Sequence, residues 1–315
     1  MSKFSKEQLQ YVAGMVDAEG CIMMVQQIMD NGYIKTSQRV TIANTHLPVL
    51  EWIQTAYPGK LDSMNSIAGK KRTAHCLRMN LEDSYKFLHD IYPYLIVKKK
   101  EAEIYLESEK FYKARIARGD RFYTTEENDE RTKLCEEMKG ASSVNYPHHL
   151  ADTIAPHHEN ISRAYIAGFF DGEGTIIVKK KSIYTYSLAI AFSNAHLPVL
   201  KKIANYYGMN VRIRMEPTAK TPLYEVNIHS DSIEHFLLDV LPYLQVLKER
   251  AILALDYLKV IPILKESNVD TTAINLVKIR FKALMRWHTF KQYSSKGSIS
   301  INVTRNFDQP ISEVA

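Results

Sequence analysis

The chain has 315 residues, enough for two domains or one large one, and its 45% hydrophobic content can fill more than one core. A net charge of +6 and a pI of about 8.9 permit nucleic-acid binding without requiring it. Three scattered cysteines (Cys21, Cys76, Cys135) exclude a disulfide framework and a zinc module, and no apolar run reaches the roughly 18 residues of a membrane span; the expectation is a soluble intracellular protein, without targeting peptide, of a prokaryotic cytoplasm or an organelle.

The first predicted element is a helix over 6–19, with Ser5 and Gln8 as a capping box and Gly20 as its stop. Residues 21–29 and 33–44 read as strands joined by the hairpin signal "DNGY". A helix over 47–56 follows, begun near Thr45 or His46 and closed by Pro58-Gly59. Strands over 60–66 and 72–80 and helices over 82–91 and 95–109 complete a unit of the form αββαββα. Residues 111–160 make a polar linker, in which "TTEENDERTKLCEEMKG" predicts a charged, solvated helix. Its histidine pairs, His148-His149 and His157-His158, sit in a proline-rich polar setting that suits a linker better than a metal site. Further strands fall at 175–181, 184–193, 210–216 and 223–229. "TTAINLVKIRFKALMRW" then predicts an amphipathic helix packed on the second half, with a polar tail after Tyr293.

The second half repeats the first. "YVAGMVDAEGCIMMV" returns as "YIAGFFDGEGTIIVK", so that Tyr11, Ala13, Gly14, Asp17, Glu19 and Gly20 recur as Tyr165, Ala167, Gly168, Asp171, Glu173 and Gly174. "IANTHLPVL" (42–50) returns as "FSNAHLPVL" (192–200), and "IYPYLIVKKKEA" (91–102) as "VLPYLQVLKERA" (240–251). Three matches in one order at near-constant spacing establish a tandem duplication. The expected fold is α+β: two pseudo-twofold-related αββαββα repeats over 1–110 and 161–265, each with a four-stranded antiparallel saddle-shaped sheet, joined by the 111–160 linker and followed by a helix and tail over 266–315.

Both motif helices end in carboxylates, at the end where the helix dipole is negative. Ala13 and Gly14, like Ala167 and Gly168, would let the two helices pack side by side, bringing Glu19 and Glu173 together. Such a spot calls for a hard divalent cation, to which the last-turn carbonyls of Ala18 and Gly172 would add oxygens. Paired carboxylates holding Mg²⁺ suit in-line phosphodiester hydrolysis. Asp17 and Asp171 point around the helix from the glutamates and are assigned to local capping and packing.

"VAGMVDAEG" and "IAGFFDGEG" resemble the two copies of the motif of the LAGLIDADG homing endonucleases, and the resemblance covers roughly residues 4–108 and 160–262. It implies a monomer whose two sheets lie in the DNA major groove. It also implies Mg²⁺-dependent cleavage of both strands, leaving short 3′ overhangs, with Mn²⁺ or Ca²⁺ able to substitute for binding. The family's metal-binding acid falls on Glu19 and Glu173, and its water-holding polar residue on His46 and His196. Its transition-state lysine falls on Lys98; the second repeat has Leu247 there with Lys248 beside it, so either one half carries a lone lysine or Lys248 shifts in.

Strand alternation supplies candidates for base recognition: Arg212 and Arg214 in "NVRIRME", Glu225, Asn227 and His229 in "LYEVNIHS", Arg72, Arg78 and Asn80 in the first repeat, and Gln26, Arg39 and Lys179 near the hairpins. Two sheets each following about one turn of DNA imply a double-stranded site of roughly 20 bp. The alternatives are an intron-encoded RNA maturase, with host intron RNA as partner and assistance to group I splicing as its activity, and a DNA-binding regulator on a degenerate copy of the fold; the intact acid pair speaks against both.

Overall fold

The computed structural model describes residues 3–28, 30, 34–64, 73–142, 161–180, 186–214, 222–228, 230–267 and 269–293. The first repeat runs α1 (Lys6–Glu19), β1 (Gly20–Ile28), β2 (Ile34–Asn44), α2 (Leu47–Ala56), β3 (Gly59–Met64), β4 (Ala74–Met79), α3 (Leu81–Ile91), a 3₁₀ turn (Tyr92–Tyr94) and α4 (Lys99–Glu107). After α5 (Glu109–Ala117) and α6 (Thr125–Ser142), the second repeat follows as α7 (Arg163–Glu173), β5 (Gly174–Lys180), β6 (Tyr186–Asn194), α8 (Leu197–Tyr206), β7 (Val211–Arg214), β8 (Leu223–Ile228), α9 (Ser230–Val240) and α10 (Lys248–Glu266). The chain's last described element is α11 (Thr271–Tyr293).

The two sheets have the same antiparallel order, β1-β2-β4-β3 and β5-β6-β8-β7. Alternation gives each sheet one apolar face: Ile22, Met24, Val40, Ile42 and Leu77 are buried in the first, and Ile176, Val178, Ile190, Phe192 and Val226 in the second. Helices cover those faces, which leaves the opposite faces of both sheets free of the core.

The chain starts as its sequence predicts. Ser5 Oγ accepts from Gln8 N–H at 3.3 Å while Gln8 Oε1 accepts from Ser5 N–H at 2.8 Å, a complete capping box. The motif helices α1 and α7 then pack backbone to backbone. A Cβ on Gly14 would strike the Tyr165 carbonyl and lie 2.8 Å from Phe169 N; one on Gly168 would strike the Tyr11 carbonyl and lie 3.0 Å from Met15 N. Only glycine permits this approach at either position. Two reciprocal bonds lock the pair: Tyr11 Oη donates to Asp171 at 2.8 Å, and Tyr165 Oη donates to Asp17 at 2.6 Å.

Two expectations change. The helix expected over 95–109 begins only at Lys99, because the amides of Ile96, Val97 and Lys98 turn instead to the Asp17 carboxylate. The linker helix α6 is not simply solvated. Arg131, Leu134, Cys135 and Met138 form a buried stripe at helical spacing beneath its charged outer face, and the stripe packs on β1, β2 and α4. Arg131 also donates to the Thr36 carbonyl at 3.2 Å. In the second repeat α11 packs on α10 and β5 as its pattern predicts, burying Ile274 and Met285. The histidine pairs of the linker and the polar tail lie outside the described residues.

Candidate active site

Close packing of α1 and α7 brings their C-terminal ends together. Gly172 lies against Ala18, and a Cβ on it would lie 3.0 Å from Glu19 Cγ, so the last turn of one motif helix runs over the acid of the other. Glu19 and Glu173 therefore share one site, as the duplicated motif predicts. Crowding by the protein raises the Glu19 pKa, the Glu173 charge raises it further, and Lys98 opposes both. Glu173 is likewise raised by burial, against a hydrogen bond from Asn194 and the charge of Lys98. The carbonyls of Ala18 and Gly172 belong to the final helical turns, where carbonyl oxygens lose their intrahelical partners.

The motif aspartates build the scaffold around this site. Asp17 is fully buried and accepts from Ile96, Val97 and Lys98 N–H at 2.7, 3.0 and 2.8 Å, besides Tyr165 Oη. Asp171 does the same for Gln245, Val246 and Leu247 at 2.7, 2.9 and 2.8 Å. Capping and packing are thus their task, but the helix start they cap lies about eighty residues along the chain rather than nearby. Burial raises both aspartate pKa values against these bonds.

Gripping the backbone at 96–98 aims Lys98. Its Nζ donates to the Asp17 carbonyl at 2.6 Å, and its charge is felt by Glu19, Glu173 and His196. The second repeat has no such lysine. Leu247 is buried at 4% exposure in the equivalent place, and Lys248 is exposed in the first turn of α10, so the expectation that Lys248 shifts in is not met.

His46 and His196 stand at the N-caps of α2 and α8. His196 Nδ1 accepts from Val199 N–H at 3.3 Å, and burial followed by the Lys98 charge pushes its pKa down to about 4. His46 is lowered by burial alone, and its Nδ1 is buried with no hydrogen-bond partner. Both imidazoles are held neutral. The side chain that touches an acid is instead Asn194, whose Nδ2 donates to Glu173 Oε1 at 2.9 Å. Sequence reasoning passed over it, although Asn44 and Asn194 recur two residues before the histidines in both copies.

These donors fit a hard divalent cation. Among the described residues, two carboxylates and two helix C-termini meet the ammonium of Lys98, which leaves the spot negative, and the donor set is all oxygen. Mg²⁺ commonly takes one or two carboxylates and fills its remaining positions with water and substrate phosphate. Among the described residues no cluster of three or more His, Cys, Asp or Glu that could hold a metal ion is present.

The free sheet faces carry most of the expected recognition residues. Arg39 and Arg78 are exposed on the first sheet, with Arg39 opposite Met23 and Arg78 joined through Thr41 to Cys21. Lys179, Arg212, Glu225 and Asn227 take the same face of the second, where Arg212 pairs with Glu225. Arg214 follows in register, and only its backbone is described. Two expectations are corrected. Gln26 shares the inward phase of Ile22 and Met24, and its Nε2 is buried without a partner, so Gln27 is the outward neighbour. Asn80 is off the ribbon, at the N-cap of α3, donating to Asp83 at 3.3 Å. Arg72 and His229 lie outside the described residues. Lys60, which pairs with Arg78 across the sheet, and Lys35, opposite Gln27, are outward cations that the sequence reading missed.

Comparison with known proteins supplies the frame for this geometry. Residues 166–264 match the family model described as LAGLIDADG endonuclease. Among solved structures, I-SmaMI bound to uncleaved DNA target in the presence of calcium ions aligns with TM-score 0.63 at 16% identity, covering 88% of this chain and 98% of that one. I-AabMI bound to uncleaved DNA aligns with TM-score 0.59 at 17% identity, covering 87% and 98%, and I-LtrWI bound to target DNA with 0.61 at 15%, covering 88% and 97%. The chain has the single-chain, two-repeat LAGLIDADG fold. No curated protein matches its sequence significantly. The family match spans the second repeat; the first carries the same motif residues and the same sheet order. In LAGLIDADG terms, Gly14 and Gly168 make the helix contact, Asp17 and Asp171 hold the next segment, and Glu19 and Glu173 meet at the end.

Proposed function

We propose that the protein is a site-specific, divalent-metal-dependent endonuclease acting on double-stranded DNA, with Mg²⁺ as its ion and short 3′ overhangs as its products. The observation that carries this reading is the meeting of Glu19 and Glu173, acids from two repeats, at the end of a helix pair between two free sheet faces. A bound divalent cation would supply charge neutralisation at the scissile phosphate and a more acidic water. The chain's own residues do the rest. Glu19 and Glu173 would hold the ion with help from the Ala18 and Gly172 carbonyls, and Asn194 fixes the Glu173 carboxylate. Lys98 faces the negative charge that grows on phosphate in the transition state, where a preplaced cation acts most strongly. The neutral imidazoles of His46 and His196 accept or donate hydrogen bonds to water without adding charge.

Arg39, Arg78, Lys179, Arg212, Arg214, Glu225 and Asn227 would read base edges and backbone along two sheets, over a site of roughly 20 bp bound by one monomer. A maturase acting on intron RNA needs no acid pair, so the pair favours the nuclease. The test uses purified protein, Mg²⁺ and a randomised DNA library. Cleavage at one long sequence, abolished by Glu19→Gln or Glu173→Gln and by chelation, is the expected outcome. Retained cleavage in both variants would refute the assignment.

A further inference from the structure

The duplication runs beyond the αββαββα core. Thr124, Thr125, Asn128, Arg131, Leu134, Met138 and Lys139 are matched in order by Thr271, Thr272, Asn275, Lys278, Phe281, Met285 and Arg286, at a spacing close to that of the motif copies. The fold places the two segments alike. Helix α6 packs on β1, β2 and α4, and α11 packs on the equivalent β5, β6 and α10. Arg131, Leu134 and Met138 are buried on α6; Lys278 and Met285 are buried on α11, with Phe281 edge-on to Tyr257 of α10 at 5.4 Å. Each copy thus sets a cation, 4% exposed at Arg131 and 9% at Lys278, within a buried stripe. Burying a charge costs energy that an aliphatic side chain would not, so its recurrence calls for a task.

Arg131 shows that task. Its guanidinium lies 3.7 Å from the centre of the Tyr123 ring, and it donates to the Thr36 carbonyl at 3.2 Å and to Gln38 Oε1 at 3.3 Å. Gln38 donates onward to Tyr85 Oη of α3 at 3.2 Å. Thr36 and Gln38 belong to the inward phase of β2, so their neighbours Lys35, Ser37 and Arg39 belong to the free face. On the reading that the free sheet faces hold DNA, we propose that α6 and α11 are two copies of one brace, whose cations Arg131 and Lys278 are positioning residues for the base-reading ribbons. Arg131 fixes the height of β1–β2 over one half-site, and Lys278 that of β5–β6 over the other. Neither touches DNA; each acts through the backbone that carries the outward side chains.

Native-state hydrogen exchange on the full chain tests the brace, and cleavage tests its consequence. Arg131→Met should speed exchange of the β1 and β2 amides about tenfold and leave β5 and β6 unchanged; Lys278→Met should do the reverse. On the site recovered from a randomised DNA library, Arg131→Met should relax base selectivity at one end only. It should also raise KM about tenfold while kcat changes less than about threefold. Arg131→Lys should bring both measurements back toward wild type. Exchange that stays at the wild-type rate, or rises alike in both ribbons, overturns the brace, as does selectivity lost evenly along the site. If Arg131→Met does not fold, Lys278→Met decides by the same measurements. A wild-type protein that cuts no DNA overturns the nuclease reading, while exchange still judges the brace.

Discussion

Replacing Gly168 by alanine tests the central helix contact by the sign of its effect. At an ordinary exposed helical position, Gly→Ala stabilises a protein by about 1 kcal/mol through helix propensity. At Gly168 the added Cβ would overlap the Tyr11 carbonyl oxygen and lie 2.8 Å from Tyr11 C and 3.0 Å from Met15 N. A comfortable contact needs about 3.5 Å, so α1 and α7 must separate by roughly an ångström, and overpacking of this kind costs about 1–3 kcal/mol. Separation also stretches the buried bonds Tyr11–Asp171 and Tyr165–Asp17, now 2.8 and 2.6 Å. Hydrogen bonds to charged groups contribute about 1.5–3 kcal/mol each, so partial loss of two outweighs the propensity gain. Expected is a net loss of about 2–4 kcal/mol in urea unfolding, with DNA cleavage lost in parallel as Glu19 and Glu173 part. Gly14→Ala should behave alike, since its Cβ would meet Tyr165 and Phe169 in the mirror arrangement. A Gly168→Ala protein as stable as wild type, or more so, would refute the packing from which the site is built.

Tyr165→Phe should cost about 1–3 kcal/mol in thermal or urea unfolding and slow cleavage, because Asp17 also aims Lys98; Tyr11→Phe should cost similar stability with the smaller effect on cleavage, since the segment it supports ends in Leu247. In metal-free buffer, a Glu19→Gln/Glu173→Gln protein should be more stable than wild type at pH 7. Raised carboxylate pKa values mean stability that is fully present below about 4.5 and lost as pH rises through the folded values, so the gap should close as pH falls. Mg²⁺ or Ca²⁺ should raise the wild-type Tm and leave the double variant unmoved; a gap that widens on acidification, or an equal metal response, counts against the shared acid site. Arg39→Ala should weaken DNA binding with little change in folding, whereas Gln26→Ala should alter stability and leave DNA affinity alone, measured by fluorescence anisotropy and urea unfolding.

What the sequence revealed, it revealed through repetition. The glycines, aspartates and glutamates of the motif occur twice at one spacing, so the helix pair and its acids could be placed before any coordinates. Asn44 and Asn194 carried the same signal, overshadowed by the adjacent histidines. Long-range contacts were beyond reach: nothing local announces that the Asp17 carboxylate holds amides at 96–98, and so the late start of α4 went unseen. Strand phase misled at Gln26 because two glutamines adjoin and only the inward burial of Ile22 and Met24 sets the pleat. In α6 the spacing of Arg131, Leu134, Cys135 and Met138 was legible, but abundant charge on the other face concealed the stripe.

Fusion of two repeats into one chain explains how the site came to be unequal without losing its frame. In a homodimer every substitution appears twice, so exchanging Lys98 for leucine would strip both halves of their ammonium. In a single chain, positions 98 and 247 are independent, and so are 101 and 250, which now bear opposite charges. The frame cannot drift in this way. Asp17 needs Tyr165, Asp171 needs Tyr11, and each motif glycine faces backbone of the other helix, so a change in one repeat is felt in its twin. Symmetry therefore persists where the repeats hold each other and lapses at positions 98 and 247 and at 101 and 250.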